Sequence, residues 1–232
     1  MSLKLLVSLA AVAGLSLVGA YALVRAPGYM LFGQSIPRVE TAEPVVAFTF
    51  DDGPISGDTE RILEVLSRHE CPATFFVVGR SAEREPELLS RVVAAGHEIG
   101  NHAWEHDYLL LRFPSDIEES IRKTDAVIRA SGYRGEIPFR APFDAKFVML
   151  PWVLSTMDRP NISTNVMAWP REHRGATTDE IVDSIMESIA PGSIVTLHDW
   201  GDHTAVAMDR ILTQVRERGL RCLRVSELAA RR

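Results

Sequence analysis

The stretch "VVAFTFDDGP", Val45 to Pro54, runs an apolar segment straight into two adjacent aspartates. Neighbouring carboxylates oppose each other's ionisation unless a cation or a strong hydrogen-bond donor lies between them. Further on, "HAWEH" sets His102 and His106 four residues apart. That spacing puts both rings on one face of a helix, or lets them converge in a tight loop. Two imidazoles and one carboxylate form a common facial set for zinc or another divalent metal, with positions left open for water. Asp52 is the carboxylate expected to complete the set. With its charge neutralised by the cation, Asp51 can stay ionised close by and take a proton from a water whose pKa the cation lowers. Arg140 is expected to pair with Asp51, and His198 to protonate a leaving group, since imidazole titrates near neutral pH. Together these groups make a metal-assisted hydrolase of an amide or ester carbonyl.

Such groups need a scaffold that brings them together. After residue 44, short β-rich runs alternate with longer helical patterns. Val45–Phe50, "ATFFVVG", "HEIGNH", "IPFRAP", Ile162–Met167, "SIVTLHD" and "LRCLRV" read as strands. Between them, "GDTERILEVLSRHE" is helical, with Asp58 or Thr59 as N-cap. "REPELLSRVVAAG" has Pro86 in its first turn and Gly96 as its stop. "SDIEESIRKTDAVIRASG" is capped by Ser115 with Glu118 three residues later. "TTDEIVDSIMESIAPG" and "HTAVAMDRILTQVRERG" complete the helices. The alternation predicts an α/β fold with a parallel sheet and helices outside, closed or nearly closed into a barrel, where chemistry sits at the C-terminal strand ends. The unusual polar residues fall at those ends: Asp51 and Asp52, His102 and His106, Arg140, then His198 and Asp199.

The 232 residues, 46% of them hydrophobic, suit one domain, and the mixed net charge of -6 without a basic stripe argues against nucleic acid as a partner. No Gly-rich phosphate loop or G-x-S-x-G elbow is present, and Ser193 starts a strand, which disfavours a serine nucleophile. Leu5 to Val24 carries no charge and is flanked by Lys4 and Arg25. Its length predicts an N-terminal hydrophobic helix acting as a single-pass membrane anchor, with "VGA" leaving a cleaved signal peptide as the alternative. Both readings send the rest of the chain out of the cytoplasm, to the outer side of the cell membrane, the periplasm or the medium. The expected organisation is anchor or signal over residues 1–25, a linker over 26–43 and a catalytic domain over 44–232, as a monomer. Cys71 and Cys222 lie far apart and read as two small apolar core residues.

"TFDDGP", "GHEIGNHAWEH", "FRAPF" and "GSIVTLHD" occur in an order that resembles the polysaccharide deacetylases, the NodB-homology domain of carbohydrate esterase family 4, over roughly residues 44 to 230. The resemblance implies a distorted (β/α) barrel that removes N- or O-acetyl groups from glycans, with N-acetylglucosamine polymers as the expected substrates. It implies Asp51 as base, Asp52, His102 and His106 as ligands of a divalent metal (usually zinc, with cobalt, nickel or manganese possible), and His198 as acid. It also implies that the Phe143 N–H helps bind the oxyanion, that Leu197 lines the acetyl pocket, and that His97 and Asn101 play supporting roles. Two departures stand out. Asp144 occupies a place usually held by glycine, which adds a charge close to the cleft. The motif that orients the acid histidine is replaced by "VMAWPREHRG", where Glu172 is the expected orienting carboxylate and Trp169 the expected aromatic wall.

Overall fold

A computed structural model describes residues 2, 14, 16, 18–168 and 175–231, apart from the side chain of residue 202. Its centre is a parallel sheet. Strand β2 (Val45–Asp51), fully buried, pairs along one edge with β7 (Ile194–His198). Along its other edge it pairs first with β8 (Arg221–Leu223) and then, from Thr49 onward, with β3 (Thr74–Val77). β4 (Glu98–Asn101) extends the sheet beyond β3, and β6 (Val166–Met167) extends it beyond β7. A fully buried strand with side chains packed on both faces reads as a continuous apolar run, and "VVAFTF" is one.

"IPFRAP" does not form a strand; only Phe139 bridges, to Asn101 of β4 on one side and to Asn161 on the other. Asn161 belongs to β5 (Asn161–Ile162), which pairs with β1 (Ser35–Ile36). The reason is chemical: Pro138 and Pro142 lack the N–H that a ladder needs. The bridges carry the parallel α/β arrangement round from β4 toward β5, consistent with an incomplete barrel. The expected linker contributes to it as well. Ile36 and Val39 are buried, and the Val39 N–H donates to the Gly192 carbonyl at 2.9 Å.

Helices α1 (Asp58–Arg68), α2 (Gly79–Arg84), α3 (Pro86–Ala94), α4 (Pro114–Ala130), α5 (Met149–Thr156), α6 (Thr178–Ser188), α7 (Asp202–Glu217) and α8 (Val225–Ala229) follow the strands. α6 starts with a reciprocal cap between Thr177 and Glu180. α4 starts one residue before the expected Ser115 cap, at Pro114, because a proline at the first helical position forfeits only an N–H that has no helical partner. Phe48 and Phe50 of β2 pack with Ile62 and Leu66 of α1 and Ile211 of α7, each large side chain contributing roughly 1.5–3 kcal/mol of burial. Of the expected N-terminal helix, residues 18–24 are helical, and most of the remainder lies outside the described residues. Among the described residues no helix is long and apolar enough to cross a membrane.

The two cysteines are not separate core residues. Cys71, before β3, and Cys222, in β8, form a disulfide with Cα atoms 5.3 Å apart. Both neighbour β2, β3 through its C-terminal half and β8 through its N-terminal half, so two positions 151 residues apart in sequence meet at one edge. Replacing both with alanine is expected to lower unfolding stability by about 2–5 kcal/mol, because the bond closes a long loop in the unfolded chain. Urea unfolding of the oxidised parent and the double variant measures this, and equal midpoints would refute it.

Candidate active site

The turn after β2 and the loop after β4 bring three ligand atoms together. Asp52 Oδ1 lies 3.6 Å from His102 Nε2 and 3.3 Å from His106 Nε2. Asp52, His102 and His106 can each offer one atom to a shared ion, all within 4.8 Å of one another. Among the described residues Asp52 Oδ1 is buried without a hydrogen-bond partner, a state that is costly unless something else fills its coordination. His102 Nδ1 hydrogen-bonds the Arg140 carbonyl at 2.9 Å, which fixes the proton on Nδ1 and leaves Nε2 a lone pair for a metal. The set therefore fits a divalent cation. Burial and the neighbouring His102 hold the His106 imidazole below its usual pKa, which keeps it neutral and available as a donor. Backbone strain is concentrated at the site. Asp52, Ala103 and Phe143 all have positive φ, at 79°, 64° and 57°.

Arg140 does what its position predicts. Its guanidinium donates to Asp51 Oδ1 at 2.7 Å and to Thr49 Oγ1 at 2.7 Å, is held by the Ile162 and Ser163 carbonyls, and lies over the Phe76 ring. Burial raises the Asp51 pKa, but Arg140, His102 and His198 outweigh it, so the carboxyl lies below its ordinary range and is ionised. Asp51 and His198 are register partners on β2 and β7, so their side chains share one face of the sheet. His198 makes an edge contact with Trp200, ring centroids 5.5 Å apart.

Leu197 is not brought to the site. Successive side chains on a strand point to opposite faces, so Leu197 joins Phe50 in the core under the helices and is fully buried there. Thr196 has the parity of His198 and touches Thr49 Oγ1 at 3.1 Å. Phe143 does reach the site: its ring meets His106 edge-on at 4.3 Å and stacks on Tyr108 at 4.3 Å. Asn101 holds the ligand loop by accepting the Ala103 N–H at 2.8 Å. Trp169 and Glu172 lie outside the described residues.

Asp144 does not add a charge to the cleft. Its carboxylate pairs with the buried Lys146 ammonium at 2.6 Å and accepts from Ser163 Oγ at 2.6 Å. Changing Asp144 to glycine relieves a positive φ, worth about 1 kcal/mol, but removes the counter-ion of a buried ammonium and leaves it only the residue-144 carbonyl, which costs up to about 3–5 kcal/mol. The single variant is expected to be clearly destabilised, and the double variant Asp144→Gly, Lys146→Met to recover most of the loss in urea unfolding.

His97 does not reach the site: it lies just before β4, at the N-terminal ends of the strands, whereas the ligands and Asp51 lie at the C-terminal ends. Its Nδ1 accepts the Ala73 N–H at 3.2 Å, and burial, with Arg224 beside it, lowers its pKa from 6.5 to about 4. Between these values the unfolded chain binds a proton that the native chain does not, so stability falls as pH drops through that window, by about 3 kcal/mol. In the variant His97→Gln the pH dependence of the unfolding midpoint should be flatter by that amount; an unchanged slope would refute the assignment.

Sequence reasoning missed the layer beneath these residues. Thr59, in the first turn of α1, donates to Asp199 Oδ2 at 2.6 Å, and a β-carbon on Gly53 would overlap that carboxylate. Burial and the charge of Asp52 raise the Asp199 pKa to about 7. The sequence marks Asp199 as a polar residue at a strand end, but nothing in it links that carboxylate to Thr59.

A family model described as polysaccharide deacetylase matches residues 38–147. The chain is 34% identical over 203 residues to a chitooligosaccharide deacetylase of Sinorhizobium fredii, covering 80% of this chain and 92% of that protein. It spans 41% of the peptidoglycan-N-acetylmuramic acid deacetylase PdaC of Bacillus subtilis, at 31% identity and with 84% of this chain covered. The fold superposes on a carbohydrate esterase family 4 pseudoenzyme of Bacillus anthracis with a TM-score of 0.77 at 25% identity, covering 83% of this chain and 68% of that one.

Proposed function

This chain belongs to the polysaccharide deacetylase family, and on that premise we propose that it hydrolyses N-acetyl groups on N-acetylglucosamine-containing glycans of the chitooligosaccharide, peptidoglycan or exopolysaccharide kind. The observation that carries the reading is the convergence of Asp52, His102 and His106 beside the ionised, Arg140-held Asp51. A nitrogen-rich set with one carboxylate favours zinc, with cobalt, nickel or manganese as substitutes. Such a cation, when bound, polarises the acetyl carbonyl and acidifies the attacking water. Asp51 receives the proton of that water, and Arg140 holds the carboxylate ionised and aimed. The Phe143 N–H donates to the oxygen on which charge develops. His198 delivers a proton to the departing amine nitrogen, so that the sugar leaves as a free amine and the acyl group as acetate.

The uncharged stretch Leu5–Val24 is the proposed tether to the cell membrane, which places the catalytic domain outside the cytoplasm. The Cys71–Cys222 disulfide supports this reading, since such bonds persist in oxidising compartments. Acetate release from N-acetylated chitooligosaccharide, peptidoglycan and O-acetylated xylan, with zinc added, tests the substrate assignment. Preference for the N-acetyl substrates is expected; preference for xylan would reassign the enzyme to ester hydrolysis, and oligosaccharide binding without turnover under any of the four metals would make it a glycan-binding protein.

A further inference from the structure

Isolated apolar side chains on a surface are ordinary; a contiguous group beside a functional cleft is not. Leu111 and Phe113, in the loop before α4, are 89% and 75% exposed. Phe147, Met149 and Trp152, at the start of α5, are 44%, 40% and 46% exposed. The two segments cover one small core, in which Leu109 and Ile117 pack with Leu150, Val153 and Leu154. They also flank the cleft, because exposed Tyr108 stacks on Phe143, and Phe143 touches His106. Arg112, between Leu111 and Phe113, is paired with Asp107, which offsets its charge at this face.

What covers it follows from the N-terminal stretch. Leu5–Val24 has the length and composition of a bilayer span, and its last residue is bound to this face: the Lys146 N–H donates to the Val24 carbonyl at 2.9 Å. Lys146 is followed directly by Phe147. At the same end Arg25 donates to the Tyr21 hydroxyl at 2.9 Å, an aromatic–basic pair of the kind that sits at membrane interfaces. A tether without slack holds the surface around Lys146 against the bilayer it enters.

We propose that the face formed by the 108–113 loop and Phe147–Trp152 docks into the lipid interface, so that the cleft opens at headgroup level and takes glycan lying on or attached to the bilayer. This rests on the tether reading given above, and its test separates the two. The full chain, carrying Phe113→Cys or Trp152→Cys labelled with an environment-sensitive fluorophore, is reconstituted into phosphatidylethanolamine–phosphatidylglycerol vesicles with brominated acyl chains. Labels on Ser8→Cys, in the tether, and on Ser67→Cys, exposed on α1, are the controls. Quenching at 8, 113 and 152 but not at 67 is expected. Adding Leu111→Ser lowers the docked-to-undocked ratio of the 113–152 face by roughly tenfold, the effect of withholding one large apolar side chain from lipid. Quenching at 8 alone leaves the tether standing and overturns the docking face. Absence of quenching at 8 overturns both. Shielding of 113 and 152 that grows with protein concentration, without quenching by brominated lipid, assigns the face to a second copy of the chain and likewise overturns the proposal.

Discussion

The variant Asp51→Asn should lose about 10²- to 10⁴-fold in kcat for acetate release, the usual contribution of a positioned general base. The substitution keeps the shape of the side chain and its place beside Arg140, but removes its capacity to take a proton. Arg140 retains Thr49 Oγ1 and the Ile162 and Ser163 carbonyls as partners, so the loss of its counter-ion leaves the guanidinium hydrogen-bonded. Stability should therefore fall by about 1–3 kcal/mol, less than the 3–5 kcal/mol typical of stripping a buried ion of its sole partner. The ligand set of Asp52, His102 and His106 is untouched, and zinc affinity measured by calorimetry should stay within a few-fold of the parent. Activity within tenfold of the parent at saturating zinc would remove Asp51 from the role of base.

The second large effect concerns the ligands. His102→Ala should lower zinc affinity by more than about 100-fold, beyond the 10- to 100-fold usual for losing a residue that only orients a ligand. The loss should exceed that of His106→Ala. His102 is buried, and its ring is locked by the Arg140 carbonyl, so its nitrogen is aimed before any ion arrives. The His106 side chain is 31% exposed and has more freedom to lose on binding. Dialysis against a chelator should abolish acetate release in the parent without unfolding the chain, since the core around β2 does not depend on the ion, and added zinc should restore it. Equal zinc affinity in the parent and His102→Ala would show that the three side chains do not share an ion.

The elements that position the site were legible wherever the signal was local. Apolar runs ending in Asp51–Asp52 and His198 announce strands and their C-terminal ends, and the 3.6-residue period announces α1, α3, α6 and α7. A spacing such as that of His102 and His106 carries its chemistry within five residues. Leu197 was misplaced because a motif names residues in a line, while the sheet sorts neighbours to opposite faces; parity with His198 puts Thr196 on the site's side of the strand. Short elements such as α2 and α5 escaped because a helix of six or eight residues has too few turns to display a period.

What the residues by themselves determined was the set of reactive groups and the strand ends that carry them, because those follow from side-chain chemistry and from periods a few residues long. The tertiary structure alone decided which distant groups meet: Cys71 with Cys222, Thr59 with Asp199, Lys146 with the end of the N-terminal stretch, and Asp144 with Lys146 and Ser163 instead of the cleft. Such meetings depend on how a sheet curves and in what order its strands lie. Those properties come from the packing of the whole core, and no single segment records them.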